Sequence, residues 1–226
     1  MCGRYSFAPT KKQKAQQLDA LKQPPVWKIR FNLAPTQSAY VIANNNPAEI
    51  REMNWGLVPS WSRNGVNNGK LINARSETIF EKPSFREAVF SRRCLVPADS
   101  FYEWRKEPDG RKLPYRIFLK NGDLLMMAGI WEQWGGGTNV QHTFSILTTG
   151  PNTEMASLHN RMPLILPTET AQQKWLGDLS ESSLKEMLAP PADGLLDMYR
   201  VSERLNSTGV DEPTLHEEVA DALRLF

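Results

Sequence analysis

Apolar and polar residues alternate in short runs along most of the chain, broken by a few stripes at helical spacing. Ala15, Leu18 and Leu21 share one such stripe, and Thr10-x-x-Gln13 before it is a capping box. A helix is therefore predicted over 11–21, closed by Pro24-Pro25. Strands are predicted at 40–43 and 50–55. Ser84-x-x-Glu87 is a second capping box, and it opens a predicted helix through about Arg93. Strands at 95–97 and 101–105 follow, then a turn at Pro108-Asp109-Gly110 and a strand at 115–119. Asn121-Gly122 reads as a hairpin turn. Residues 124–134 and 143–149 pair around Gly135-Gly136-Gly137. Two short helices are predicted at 169–176 and 181–188, the second stopped by Pro190-Pro191. The tail from 190 to 226 ends in a helical pattern. Strands and helices mix without βαβ regularity. The pattern implies an α+β fold: a β-rich core with a mainly antiparallel, barrel-like curved sheet surrounded by short helices.

Composition narrows the class. At 226 residues the length suits one large domain or two small ones, and no linker or repeat divides it. One domain over 1–226 is expected. Hydrophobic residues at 40% and charged residues at 23% are ordinary for a globular protein. Two cysteines, Cys2 and Cys94, make no disulfide framework, which fits a reducing cytoplasm. No apolar run approaches a membrane span, so no membrane partner is expected. The net charge of +2 permits a polyanionic partner without requiring one. Two Cys and three His are too scattered for a zinc pattern, and there is no phosphate loop or dinucleotide fingerprint. No metal or cofactor is expected.

The chemistry begins at Met1-Cys2-Gly3-Arg4. Initiator Met is trimmed before a small residue, and trimming would leave Cys2 with a free α-amine beside its thiol. That 1,2-aminothiol captures an aldehyde as a five-membered thiazolidine. Reference pKa values of about 7.7–8.0 and 8.5 leave both nucleophiles partly available near neutral pH. Glu103 lies among aromatics in Ser100-Phe101-Tyr102-Glu103-Trp104. It is either a partly desolvated proton-transfer group or a surface carboxylate paired with Arg105 or Lys106. His159 is either structural or catalytic, with Arg161 on the same side if the segment is extended. His142 and His216 are expected in solvent. Asn73, Arg75 and Ser76 place an amide, a guanidinium and a hydroxyl within four residues, either a phosphate fork or a polar turn. Trp61, close after Pro59, could stack on bases or pack in the core.

Together these segments form an ordered series. It runs through Met1-Cys2-Gly3-Arg4-Tyr5, Asn32-x-Ala34-Pro35-Thr36, and Trp55-Gly56-Leu57-Val58-Pro59-Ser60-Trp61. It continues with Asn73-Ala74-Arg75-Ser76-Glu77-Thr78, Lys82-Pro83-Ser84-Phe85-Arg86 and Arg93-Cys94-Leu95-Val96-Pro97-Ala98. Phe101-Tyr102-Glu103-Trp104, Ala128-Gly129-Ile130-Trp131 and His159-x-Arg161-Met162-Pro163 complete it. This series, spanning 2 to about 167, resembles the SOS-response-associated peptidase family, also called abasic-site-processing proteins. The resemblance implies a monomer that binds single-stranded DNA carrying an abasic site and cross-links to it through Cys2. Glu103 would move protons, His159 would act as acid on the sugar-ring oxygen, and Asn73 would orient the sugar. Arg4, Arg75 and Arg161 would hold flanking phosphates, with Ser76 beside them. Trp61 and Pro35 would interrupt base stacking. Autoproteolytic loss of Met1, a role in the DNA damage response and a cytoplasmic location, nucleoid-associated if the source is bacterial, are also implied. Asn160 departs from the acidic or other polar residue common in the family, which touches none of these roles.

Three rivals remain. A thiol peptidase would pair Cys2 with His159 and orient it with Glu103. An N-terminal-nucleophile amidotransferase also opens Met-Cys-Gly, but a second catalytic domain has no room here. A non-catalytic DNA reader would keep binding when Cys2 is replaced.

Overall fold

The computed structural model describes residues 2–219. In chain order the elements are β1 (Arg4–Phe7), α1 (Lys11–Gln17), β2 (Arg30–Leu33), β3 (Ser38–Ala43), β4 (Ile50–Trp55) and β5 (Asn73–Arg75). Next come α2 (Ala88–Ser91), β6 (Arg93–Ala98), β7 (Ser100–Lys106), β8 (Lys112–Leu119), β9 (Leu125–Gly136) and β10 (Asn139–Thr149). The last are α3 (Thr153–Ala156), β11 (Met162–Pro163), α4 (Glu169–Leu176), α5 (Glu181–Met187) and β12 (Leu196–Arg200).

Two sheets make the architecture. One runs β10-β4-β3-β6-β9, and β9 pairs with β10 again, so five strands close into a barrel. All its pairings are antiparallel except β4 with β10. The second sheet is open, ordered β12-β8-β7-β1-β2. The chain crosses between sheets at Asp99, one residue between β6 and β7. The Asp99 carboxylate accepts the Ala8 amide at 2.6 Å, and its own amide donates to Ser6 O at 3.2 Å. Aromatic contacts weld the sheets. Tyr5 meets Trp55 edge-on at 5.0 Å, and Phe7 meets Tyr40 at 5.1 Å. The β-rich α+β reading holds.

The helices follow their caps. The Thr10–Gln13 box forms in both directions, but α1 stops at Gln17. None of its residues is buried, Ala15 included; Leu18 reaches the core from the turn that follows. The second box does not form. Arg86 N bonds Lys82 O at 2.9 Å, a turn that ends with Phe85 buried, and α2 starts late with Glu87 at an N-cap lacking any side-chain bond. Arg93 opens β6 instead of closing a helix.

Asn121-Gly122 turns the chain, but not as a hairpin. β8 pairs with β7 and β12, while β9 belongs to the barrel, so this turn changes sheets. The β9–β10 hairpin forms as expected, in register from Asn139↔Gly136 to Ile146↔Gly129. Both short helices after 168 form. The C-terminal segment adds β12 and two 3-10 turns, Glu203–Asn206 and Pro213–His216. The helical pattern at the very end of the chain extends over 220–226, outside the described residues. Among the described residues no helix is long and apolar enough to cross a membrane.

Candidate active site

Cys2 lies just ahead of β1 and is fully buried. Arg4 pairs with Tyr102 in the β1–β7 register, so the N-terminal end of β1 runs beside Glu103. Asn73, at the start of β5 on the barrel side, donates its Nδ2 to Cys2 O at 2.8 Å. The seam between the two sheets therefore holds Cys2. The Asn73 Oδ1 is buried and has no hydrogen-bond partner among the described residues, which leaves one acceptor available inside the site.

Burial pushes the Cys2 thiol up to about 12, with the nearby Glu103 charge adding to the effect. In the untrimmed chain the thiol is therefore held protonated near neutral pH. The thiol's hydrogen bond goes to Arg4 O at 3.8 Å and not to an imidazole. Any attack by sulfur needs a base to take its proton during the step.

Glu103 is 5% exposed, and burial raises its pKa. The surface alternative fails because Glu103 is buried; Arg105 bonds Glu107 at 2.6 Å. His159 Nε2 lies 4.0 Å from Glu103 Oε1. Its Nδ1 accepts the Arg161 amide at 3.0 Å, so in the neutral ring the proton sits on Nε2, facing Glu103. The segment is a turn after α3, not an extended strand: His159 N also bonds Met155 O at 2.8 Å. The two side chains consequently part. Arg161 points to Thr148, with Nη2 on its O at 2.7 Å and its Oγ1 at 3.1 Å, and Nη1 meets Glu77 at 2.5 Å.

The other predicted residues are spread more widely. Arg75 is exposed and has no ion pair among the described residues. Ser76 is buried and lines a hollow of about 370 Å³ with Glu77, Phe80 and Lys185. Arg4 commits Nη1 to Asn32 Oδ1 at 2.6 Å and Leu205 O at 2.9 Å, tying β1 to the C-terminal segment. Trp55 is core, whereas Trp61 is 64% exposed. The loop bearing Trp61 is braced by Trp134 Nε1 on Ser62 O at 2.7 Å and by Asn67 Nδ2 on Trp55 O at 3.1 Å. Pro35 is half-buried at the β2–β3 turn, against Gly69 of the same loop. No hydrogen bond or ion pair among the described residues links Trp61 or Pro35 to Cys2, Glu103 or His159. His216 is not in solvent: its ring packs 4.9 Å from Phe31, and burial lowers its pKa to about 4. His142 is half-buried, which lowers its pKa as well.

Sequence reasoning missed one feature. A cleft of about 850 Å³ runs from Glu103 and His159 over Trp104 to Lys106, Arg111 and Lys112. Its signal was present: Lys106 and Lys112 stand equally far from Asp109 in the predicted turn, so hairpin pairing puts them opposite each other.

A buried Cys2 thiol, with a buried carboxyl and an imidazole close by, on a closed barrel flanked by an open sheet, makes up the candidate site. The chain belongs to the SOS response associated peptidase (SRAP) family, whose model matches residues 1–208. Abasic site processing protein YoqW of Bacillus subtilis is 36% identical over 223 residues, covering 96% of this chain and 99% of YoqW. Abasic site processing protein HMCES of Rattus norvegicus is 32% identical, covering 94% of this chain and 74% of HMCES. The crystal structure of a protein from Bacteroides thetaiotaomicron superposes with a TM-score of 0.83 at 29% identity, covering 97% of this chain and all of that one.

Proposed function

We propose that this protein captures abasic sites in single-stranded DNA as a covalent thiazolidine, using Cys2 after Met1 has been removed. One observation carries the reading: Cys2 is fixed at the seam of the sheets by Asn73 at 2.8 Å, beside the Glu103–His159 pair. The naming of the relatives as abasic site processing proteins supports the same substrate.

Removal of Met1 hydrolyses its amide to Cys2. Water supplies hydroxyl to the Met1 carbonyl carbon and hydrogen to the Cys2 nitrogen. His159 Nε2–H then serves the ring oxygen of the closed abasic sugar, which opens to expose the C1′ aldehyde. The Cys2 amine adds to that carbon, and the carbinolamine loses water to give an imine. Sulfur adds to the imine carbon while its proton passes through Glu103 to nitrogen, closing the ring. Capture releases one water and involves no oxidant or reductant. A carboxyl whose pKa is raised by burial suits this shuttle, since proton transfer is most efficient near the operating pH. Asn73 Oδ1 accepts from the sugar hydroxyl or the intermediate's N–H.

Binding is assigned to the cations around this centre. Arg75 is free to take a phosphate, and Arg161 can exchange Glu77 for one. Arg4 has Nη2 left for the task, and Ser76 supports the same strand. Trp61 and Pro35 interrupt base stacking beside the lesion. The reading as a general thiol peptidase is weaker, because the Cys2 thiol bonds Arg4 O and not His159.

Intact-protein mass after incubation with abasic single-stranded DNA tests this. The expected species has lost Met1 and gained the oligonucleotide less one water, and it survives denaturation. Cys2→Ala should give no adduct; Cys2→Ser should leave at most a labile imine, because oxygen closes the ring poorly. A Met-trimmed protein that gives no adduct with a confirmed abasic oligonucleotide sinks the reading.

A further inference from the structure

The β7–β8 hairpin end faces Lys106 directly against Lys112. Like charges placed opposite each other on an antiparallel pair repel. Both lysines are exposed, and neither has an ion-pair partner among the described residues, although Arg105 bonds Glu107 and Arg111 bonds Asp109 beside them. All the acids of the turn are thus engaged by arginines, and the two lysines are left to solvent. They line one end of the cleft whose other end is Glu103 and His159. Between them lies Trp104, its indole fixed by Nε1 donating to Asn206 Oδ1 at 2.8 Å. Glu203 on the cleft wall is drawn toward Arg200, 3.6 Å away.

We infer that Lys106 and Lys112 form a second phosphate-binding subsite, which takes the nucleic-acid backbone on one side of the lesion as it leaves the Glu103–His159 centre along Trp104. This deepens the function proposed above and rests on that reading. It explains a repulsive pair at the mouth of a cleft: bound phosphate supplies the counter-charge that the protein withholds. Arg75 and Arg161 stand on other elements, so the hairpin subsite serves one flank only.

The test uses the full chain and oligonucleotides bearing a tetrahydrofuran abasic analogue, which has no aldehyde and so reports binding alone. Three are compared: lesion central, lesion at the 5′ end, lesion at the 3′ end. For Lys106→Gln/Lys112→Gln, the log–log salt slope should fall by about 1.4, from about 0.7 per phosphate on a single strand. The loss should appear with the central lesion and with only one of the two end-lesion oligonucleotides. Thermal stability should not fall, because a repulsion has been removed. An unchanged slope on all three, an equal loss with both end lesions, or a drop in stability accompanying the lost binding would overturn the subsite. Adduct formation on true abasic DNA is measured in parallel with the unaltered protein. An altered slope without any adduct would leave the subsite standing and remove the covalent reading. An adduct with an unaltered slope would remove the subsite alone. Failure of the unaltered protein to bind DNA would remove both.

Discussion

Glu103 holds its carboxyl group away from water on β7, where burial raises its pKa, and the neighbouring thiol is raised further by the same cause. A thiol that does not ionise alone depends on its base. Cross-linking should therefore slow as pH falls through the raised Glu103 value, where the carboxylate takes up its proton. Glu103→Gln keeps the shape, removes that limb of the profile, and should slow single-turnover cross-linking by about 10²–10⁴-fold while binding persists. If binding falls and rate does not, Glu103 only positions the chain. His159 has a separate signature: His159→Gln should slow capture of the closed abasic sugar more than capture of a simple open-chain aldehyde, which has no ring oxygen to serve. Equal slowing on both would remove the ring-opening role. Cys2 stands out locally as an aminothiol, whereas Asn73 and Glu103 are ambiguous on local sequence and become candidates through the family resemblance; the structure brings Asn73 to Cys2 and buries Glu103. The parting of His159 from Arg161 could not, because it depends on one backbone amide reaching Nδ1. Nor could the commitment of Arg4 to Asn32 and Leu205, a contact made 201 residues along the chain.

Among the elements, seven of the twelve strands of the described residues are legible in the sequence, while β1, β2, β5, β11 and β12 are not, and strand partners are less legible still. β3, β6, β7 and the inner parts of β9 and β10 are buried on both faces, so short apolar runs bounded by turn residues mark them in the sequence, and β4 with them. Which strand lies beside which is a tertiary matter. Asn121-Gly122 has the composition of a hairpin turn but sits where the chain changes sheets, and nothing local distinguishes the two. Arg93 is the sharpest case. It reads as a helix-end cation, yet its buried guanidinium spans two helices. Nε donates to Trp175 O at 2.7 Å, Nη1 to Val89 O at 2.9 Å and Phe90 O at 2.6 Å, and Nη2 to Gly177 O. These are carbonyls from the ends of α2 and α4, which helix geometry leaves without intrahelical partners. Arg93→Met preserves much of the volume and strands those carbonyls. It should lower unfolding free energy by about 3 kcal/mol or more in denaturant titration, at about 1–3 kcal/mol for each unsatisfied buried group. A loss below about 1 kcal/mol would mean that water replaces the guanidinium at the helix ends.

For the molecule as a whole, the open sheet must stay registered on the barrel, because the candidate site lies on their seam. A buried polar cluster does this work at the crossing residue. Asp99 accepts from Arg116 Nη2 at 2.9 Å and Ser6 Oγ at 3.0 Å, while Arg116 Nη1 reaches Tyr199 Oη at 2.6 Å. Tyr199 Oη in turn donates to His216 O at 2.7 Å, fastening the C-terminal segment over the same cluster. The His216 ring is enclosed by Phe31 and Tyr102, with Asp99 Oδ2 3.7 Å from Nε2 and the Arg116 charge opposing protonation. Burial is the larger influence, and it lowers the pKa to about 4. An unfolded histidine titrates near about 6.5, so between those values the unfolded chain binds a proton that the folded chain refuses. Stability contributed by the neutral ring is complete above about 6.5, declines as pH falls through this window, and is gone below about 4, with a total of about 3 kcal/mol. Glu103 acts in the opposite sense, since its raised pKa makes the folded state the better proton binder. The wild-type curve alone therefore mixes several effects, His142 and the lowered surface carboxylates among them, and the comparison has to be with a variant. His216→Gln removes one titration and leaves Glu103 untouched. Denaturant midpoints measured at several pH values should show the wild type losing more stability than His216→Gln between about pH 7 and pH 5. Parallel losses in the two proteins would place the acid sensitivity elsewhere and leave His216 as a packing residue under the C-terminal segment.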